Sequence, residues 1–230
     1  GLGTVQFGAN YGISNKYGQT SEKEVSSILN FASKVGIDII DTANSYGSSE
    51  IVLGQNNLSN FKIVSKFLRQ EPSQSVSTIL FSSLKKLNRS SVYGYMAHRP
   101  MDIVHNPKLW DELNFHKQNG TIQKIGFSFN EISEIEEVLK NDFKPDIIQV
   151  PYNYLDNRFE SYMKKLKKNE LEIHTHSVFL QGLLFMDIKH LNTFFDEINP
   201  LLEKLQQSVN ELPATLLLFC KSKPVIDKLI

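Results

Sequence analysis

The sequence has almost no cysteine. Cys220 is the one cysteine in 230 residues, so no internal disulfide can brace the chain and its stability must come from burial. Long apolar runs are missing too. The longest near-uniform one, Ala214 to Cys220, falls far short of the roughly 20 residues that a membrane span requires. No charged-then-apolar leader is visible at the start. Neither sign of charge is in excess, because Lys plus Arg and Asp plus Glu each number 25. Without a basic block or an acidic tail, neither nucleic acid nor a membrane surface is expected as a partner. These absences lead to the expectation of a cytoplasmic protein, a monomer or weak oligomer. Its lone thiol, in the run Leu216-Leu217-Leu218-Phe219-Cys220, is expected to be buried and inert.

What the sequence does have is a rhythm. Hydrophobic residues make up 40% of the chain, enough for one sizeable core, and a barrel of about 250 residues is an ordinary single domain. Short β-branched runs alternate with stretches of helical period. Strands are expected at Gly3–Phe7, Ile37–Asp41, Lys62–Lys66, Val92–His98, Ile125–Ser128, Ile147–Val150, Glu172–Ser177 and Val225–Ile230. The clearest helix starts at Ser21, with Glu24 at capping-box spacing and Val25, Ile28, Leu29, Ala32 and Val35 on one face. Others are expected over Ser73–Leu87, Pro107–Gln118, Glu131–Lys140, Phe159–Asn169, Asn199–Asn210 and Pro213–Ser222. Eight strands with intervening helices predict an α/β fold, a (β/α)8 TIM barrel forming one domain over residues 1–230. The alternative, a doubly wound open sheet, lacks a G-x-G-x-x-G after its first strand. The last residues, Val225 to Ile230, read as the eighth strand. The barrel's C-terminal helix is therefore expected in a continuation beyond Ile230.

Barrel chemistry gathers at the C-terminal ends of the strands. Those ends carry Asp41, Lys66, His98, Ser128, Gln149 and Ser177, with Tyr46 in the loop just after Asp41. A tyrosine, with an ordinary pKa near 10, is a weak acid near pH 7. A neighbouring ammonium favours its phenolate and tunes it. A carboxylate keeps that ammonium charged and in place, and a neutral histidine can hydrogen-bond a carbonyl oxygen. Taken singly, each residue has a duller explanation: a solvated lysine cap, a packing tyrosine, a satisfied rim histidine. His174 and His176 share a strand face and, with His98 and Asp41, raise the question of a metal. Lys66 in their midst would repel a cation, so no metal is expected. The lysines at 164, 165, 167 and 168 read as a solvated helix face.

Asp41-Thr42-Ala43-Asn44-Ser45-Tyr46-Gly47-Ser48-Ser49-Glu50 resembles the D-T-A-x-x-Y-G-x-S-E signature of the aldo-keto reductases. Val64-Ser65-Lys66 resembles the strand that carries the family's lysine. Tyr95-Met96-Ala97-His98-Arg99-Pro100 is similar to its Y-x-x-H-x-P strand, and Gly120 to Ser128 to its G-K-I-R-x-I-G-V-S segment. Ser177-Val178-Phe179-Leu180-Gln181-Gly182-Leu183-Leu184 resembles its S-P-L-x-x-G-L-L loop. The phrase from His176 to Leu184 resembles more particularly a bacterial branch associated with surface-polysaccharide biosynthesis.

The resemblance implies an NAD(P)H-dependent oxidoreductase that reduces an aldehyde or ketone, or oxidises the alcohol, with catalytic Asp41, Tyr46, Lys66 and His98. Tyr46 would be the proton donor. Cofactor contacts would fall on Thr4, Asp41, Ser128, Gln149, His176, Ser177, Phe179 and Gly182, and NADP(H) is expected rather than NAD(H). Two positions depart from the family. Phe129 stands where an Asn is usual, with Asn130 one place later, and His176 replaces a stacking tyrosine. A slow-turnover, cofactor-binding regulatory subunit of the same fold is the alternative function. Substrate choice is expected in the loops Asn10–Thr20 and Met101–Asn106, where Tyr11, Tyr17, Met101 and His105 suit a small polar or sugar-like carbonyl.

Overall fold

The protein is described from a computed structural model, which covers residues 1–167, 171–208 and 210–230. Eight parallel strands lie in sequential order in one sheet. They are β1 (Leu2–Gly3), β2 (Ile39–Asp41), β3 (Lys62–Phe67), β4 (Val92–Ala97), β5 (Ile122–Ser128), β6 (Ile147–Pro151), β7 (Glu172–His176) and β8 (Lys228–Leu229). The sheet curls until its ends approach: the Gly1 ammonium donates to the Leu229 carbonyl at 2.5 Å. The fold is the α/β barrel that the strand rhythm predicts.

The helices are α1 (Val5–Gly8), α2 (Glu22–Lys34), α3 (Ser49–Gly54), α4 (Val76–Leu87), α5 (Pro100–His105), α6 (Lys108–Gln118), α7 (Ile132–Lys140), α8 (Glu160–Leu166), α9 (Asn199–Ser208) and α10 (Leu212–Lys221). Ser21 caps α2 by accepting from the Glu24 amide at 3.3 Å. Ser75 caps α4 in the same way, through the Thr78 amide at 3.1 Å, two residues later than the expected start at Ser73. The expected end of α8 at Asn169, with Lys168, lies outside the described residues, as does Val209 in the segment expected to run to Asn210. No helix among the described residues is long and apolar enough to cross a membrane. Cys220 is fully buried on α10, where desolvation raises its thiol pKa.

The first expected strand is a correction. Only Leu2 and Gly3 pair with β2, whereas Val5–Gly8 is helical. The ladder ends at Thr4, whose amide and hydroxyl both turn onto the Asp41 carbonyl, at 3.1 and 2.9 Å. The alternation of Val5 and Phe7 looked like a strand, but Phe7 is buried from a helical turn. The eighth strand is likewise shorter than Val225–Ile230. The segment Met101–Asn106, expected as a rim loop, is mostly helix α5.

Strand side chains two apart face the same side, and this periodicity places the site. Ile39, Val64, Met96 and Ile147 form a buried apolar cluster within the barrel. Asp41, Lys66, His98 and Gln149 stand two residues further along each of the same four runs, one layer nearer the C-terminal rim. The opposite strand faces carry Ile40, Ile63, Tyr95, Phe127, Ile148 and Ile173 into the larger cluster shared with the helices. There Trp110 of α6 stacks on Phe127 with centroids 5.0 Å apart. At the other end of the barrel, Tyr93 Oη and His174 Nε2 both reach the Glu172 carboxylate at 2.6 Å, joined by Lys124.

β5 and β6 approach too closely for a side chain at Gly126, where a Cβ would lie 1.7 Å from the Ile147 carbonyl oxygen. Gly126→Ala should therefore push the two strands apart and destabilise the fold by about 2–3 kcal/mol. Thermal unfolding measures this as a drop of several degrees in Tm, and an unchanged midpoint would refute the close approach.

Candidate active site

The centre of the rim is a buried ion pair. Lys66 is 1% exposed and Asp41 3%, and Lys66 Nζ donates to Asp41 Oδ1 at 2.5 Å and to the Thr42 carbonyl at 3.1 Å. The other carboxylate oxygen, Oδ2, accepts from Gln149 Nε2 at 2.8 Å. Ser128 Oγ stands 3.5 Å from Gln149 Oε1. Sequence reasoning assigned Gln149 to a cofactor alone; its bond to Asp41 was not foreseen, since it joins residues 108 apart in the chain. The hydroxyls of Thr4, Thr42 and Ser49 form a buried cluster beside this pair. Thr4, expected at the cofactor, thus has its hydroxyl committed to the Asp41 backbone.

Tyr46 is half-buried, with Lys66 Nζ 5.1 Å from its ring centroid. Burial raises its pKa, and the Lys66 charge opposes that rise without outweighing it. Desolvation is the larger of the two effects, so the net shift of the phenol is upward. Burial also acts on Lys66, pulling its pKa down, but the Asp41 carboxylate and Tyr46 more than offset this and the net shift is upward. His98 meets the Tyr46 ring edge-on at 5.8 Å, and its Nδ1 pairs with Ser45 Oγ at 3.1 Å. Ser45 was not singled out from sequence, because a loop carries no periodicity to say where a side chain points. Burial and then the Lys66 charge lower the His98 pKa to about 4. The same two causes hold His176 at about 4.

These residues open onto a cavity of about 780 Å3 lined by Thr4, Asp41, Tyr46, Lys66, His98, Ser128, Gln149, His176, Ser177, Phe179 and Gly182 among others. Every expected catalytic and cofactor-contact residue is thus gathered around one space. Of the four expected substrate-loop residues, Tyr11 lines it; Tyr17 is 97% exposed, and Met101 and His105 sit on α5. Phe129, at the usual Asn position, is buried and stacked on Phe127. Its neighbour Asn130 reaches the cavity instead. His174 is bound to Glu172 below the rim, away from His98. Among the described residues, no group of three or more His, Cys, Asp or Glu is placed to hold a metal ion.

The loop after β7 is the strained part of the rim. Ser177, Leu180 and Gln181 all have positive φ, at 61°, 48° and 58°, followed by Gly182 at 86°. Left-handed backbone is costly for residues with a Cβ and persists only where the surroundings impose it. Ser14 of the Asn10–Thr20 loop imposes it here: its amide and Oγ both donate to the Gln181 carbonyl, at 3.3 and 2.8 Å. A Cβ at Gly182 would lie 2.0 Å from Ser14 Oγ, so glycine is required by space as well as by φ.

The model of the Aldo/keto reductase family matches residues 1–222, and the chain belongs to that family. Among solved structures, an aldo-keto reductase from Bacillus halodurans in its holo form superposes with a TM-score of 0.77 at 20% identity, over 100% of this chain and 80% of that one. An aldo/keto reductase from Klebsiella pneumoniae in complex with NADP and acetate gives 0.70 at 16% identity, over 100% and 79%. At such identities the likeness is one of fold. No curated protein matches the chain.

The two depressed histidines have a consequence for stability. A histidine held near 4 in the folded state and near 6.5 when unfolded takes up its proton more readily in the unfolded chain. Its contribution is therefore complete above about pH 6.5 and is lost as pH falls towards 4. Tm should decline across that window, and His98→Gln with His176→Gln should flatten the decline. Equal slopes for the double variant and the parent would show that neither histidine is desolvated.

Proposed function

We propose that this protein reduces an aldehyde or ketone, or oxidises the corresponding alcohol, with a nicotinamide cofactor, and that Asp41, Tyr46, Lys66 and His98 do the chemistry. The observation that carries this reading is the Asp41–Lys66–Tyr46–His98 cluster, built on a buried ion pair and lining one cavity. A reduced nicotinamide, when bound, supplies the hydride. The cavity suits such a group: its volume is in the range of small-molecule sites, and Ser128, Gln149 and Asn130 present polar atoms to it. Gln149 donates to Asp41, and its Oε1, 3.5 Å from Ser128 Oγ, has a second lone pair to accept from an amide. The strained loop from Ser177 to Gly182, with Phe179, would hold the diphosphate end, and neutral His176 would lie against the ring or the adjoining phosphate.

The reacting carbonyl oxygen gains negative charge and needs a proton. Tyr46 Oη donates it. Lys66, kept charged by Asp41, stabilises the phenolate left behind, which matters most where burial alone disfavours that anion. The dry surroundings strengthen this effect. In the tautomer where Ser45 Oγ donates to His98 Nδ1, the histidine carries its proton on Nε2 and can donate to the same carbonyl oxygen, orienting it. Being neutral at pH 7, His98 polarises the carbonyl without competing as the proton donor. We further propose that NADP(H) is the natural cofactor, that the substrate is a small polar or sugar-like carbonyl, and that residues 1–230 form one domain. A complete cluster of this kind favours a working enzyme over a slow regulatory subunit.

Tyr46→Phe should keep NADPH binding and lose carbonyl reduction by ~100-fold or more. Steady-state NADPH consumption with a panel of aldehydes, beside a fluorescence titration of NADPH, measures both, and undiminished turnover would end the proposal. Lys66→Met keeps length and apolar volume but deletes the ammonium. It should lower the rate near pH 7 and move the alkaline limb of the pH–rate profile upward, because burial and the Asp41 charge then raise the Tyr46 pKa unopposed. Profiles that overlay would exclude a role for the charge. His98→Gln, which retains a donor, should cost less than Tyr46→Phe; an equal loss would assign proton transfer to His98.

A further inference from the structure

A second polar cluster lies behind the barrel wall, on the side away from the cavity. Its centre is Glu50, 2% exposed, the second residue of α3 and four residues after Tyr46. Glu50 Oε1 accepts from Ser65 Oγ at 2.8 Å. Ser65 is fully buried and precedes Lys66 on β3, so its side chain faces the helices while that of Lys66 faces the barrel interior. Ser83 of α4 stands beside both the Glu50 carboxyl and the Tyr95 hydroxyl. Tyr95 is on β4, three residues before His98. Glu50 Oε2, Ser83 Oγ and Tyr95 Oη are all buried and make no hydrogen bond in the structure. Lys86 is the charged group facing them, with Nζ 3.9 Å from Glu50 Oε2.

A buried carboxyl surrounded by hydroxyls is expensive to keep among apolar helices. Its neighbours point to a use. The segments that meet at Glu50 are those that carry Tyr46, Lys66 and His98. On the cavity side, the Tyr46 loop touches the Lys66 strand through the backbone pair Asn44 N to Lys66 O, at 3.0 Å, and the segment just after it through the Asn44 side chain and the Leu68 backbone. The Ser65–Glu50 bond adds a tie on the opposite face of β3, at the far end of the Tyr46 loop. Lys66 and Tyr46 are thus pinned from both sides of the wall.

We infer that Glu50 is a positioning residue: through its bond to Ser65, it sets the separation of Tyr46 and Lys66. It touches neither substrate nor cofactor. The inference rests on the proposed roles of Tyr46 and Lys66 for its effect on rate, but not for its effect on geometry. Glu50→Leu removes the acceptor at similar size, Glu50→Gln keeps an oxygen for Ser65, and Ser65→Ala removes the donor while disturbing little else.

Crystal structures and steady-state kinetics of the three variants and the parent protein test it together. In Glu50→Leu and Ser65→Ala the Lys66 Nζ to Tyr46 centroid distance should lengthen from 5.1 Å. In both, kcat should fall by about 10- to 100-fold, as misplacement of a reacting group by an ångström does, with KM for the aldehyde and NADPH affinity within about two-fold. Glu50→Gln should restore both the distance and kcat. Should Glu50→Leu not fold, Ser65→Ala decides alone. An unchanged distance and kcat in Ser65→Ala, or a loss in Glu50→Gln as deep as in Glu50→Leu, overturns the inference. Failure of the parent protein to reduce any aldehyde would instead defeat the proposed function, and the distance in the Ser65→Ala crystals would still decide whether Glu50 positions Tyr46.

Discussion

An ammonium group with 1% exposure organises this protein. Lys66 cannot sit inside the barrel without a counter-charge and hydrogen bonds, because desolvating an ion costs several kcal/mol even in real proteins. Asp41 supplies the charge and the Thr42 carbonyl a further acceptor. Asp41 in turn needs partners for its second oxygen and its backbone. Gln149 takes the first, and Thr4 the second. One buried charge therefore ties β1, β2, β3 and β6 together at the level where the barrel opens. Removing either partner would strand the other, a loss of about 3–5 kcal/mol in such pairs.

The same dry environment sets the titration of everything around the pair. Burial alone makes Tyr46 a weaker acid and makes His98 and His176 weaker bases. The Lys66 charge reinforces the effect on the histidines and opposes it on the tyrosine. One cation thus drives neighbouring groups in the directions the proposed chemistry needs: a phenol whose anion has a counter-charge, and a histidine that stays neutral at pH 7. Neither result requires a special residue. Both follow from placing a fixed positive charge where water cannot screen it.

The barrel makes this placement by simple periodicity. The apolar layer of Ile39, Val64, Met96 and Ile147 excludes water from below, and the polar layer two residues further on inherits four converging strands. The rim above is less regular. The loop after β7 holds a run of left-handed residues, and the Asn10–Thr20 loop bonds to it through Ser14. Strain of this kind concentrates at sites that bind something. It fits the proposed diphosphate contact, which a freely moving loop would make less well.

Much of this was legible in the sequence. The alternation of short β-branched runs and helical faces determined a barrel of eight strands, because burial of those faces admits few other arrangements. The spacing of Asp41 and Tyr46, with Lys66 and His98 at later strand ends, determined which side chains would meet. Strand ends converge by geometry alone. Other features depended on contacts between residues far apart in the chain. The first strand stops at Thr4 because an Asp41 carbonyl captures its amide and hydroxyl, whatever the alternation of Val5 and Phe7 suggests. Gln149 turns to Asp41, and Asn130 takes the cavity position that Phe129 leaves for the core. His174 is claimed by Glu172 and does not line the cavity. Glu50 reaches Ser65 across the wall. Local pattern records which face of an element is buried. Which polar atom a buried group pairs with is decided only when the folded chain brings the partners within about 3 Å and removes the water that would otherwise serve them equally well.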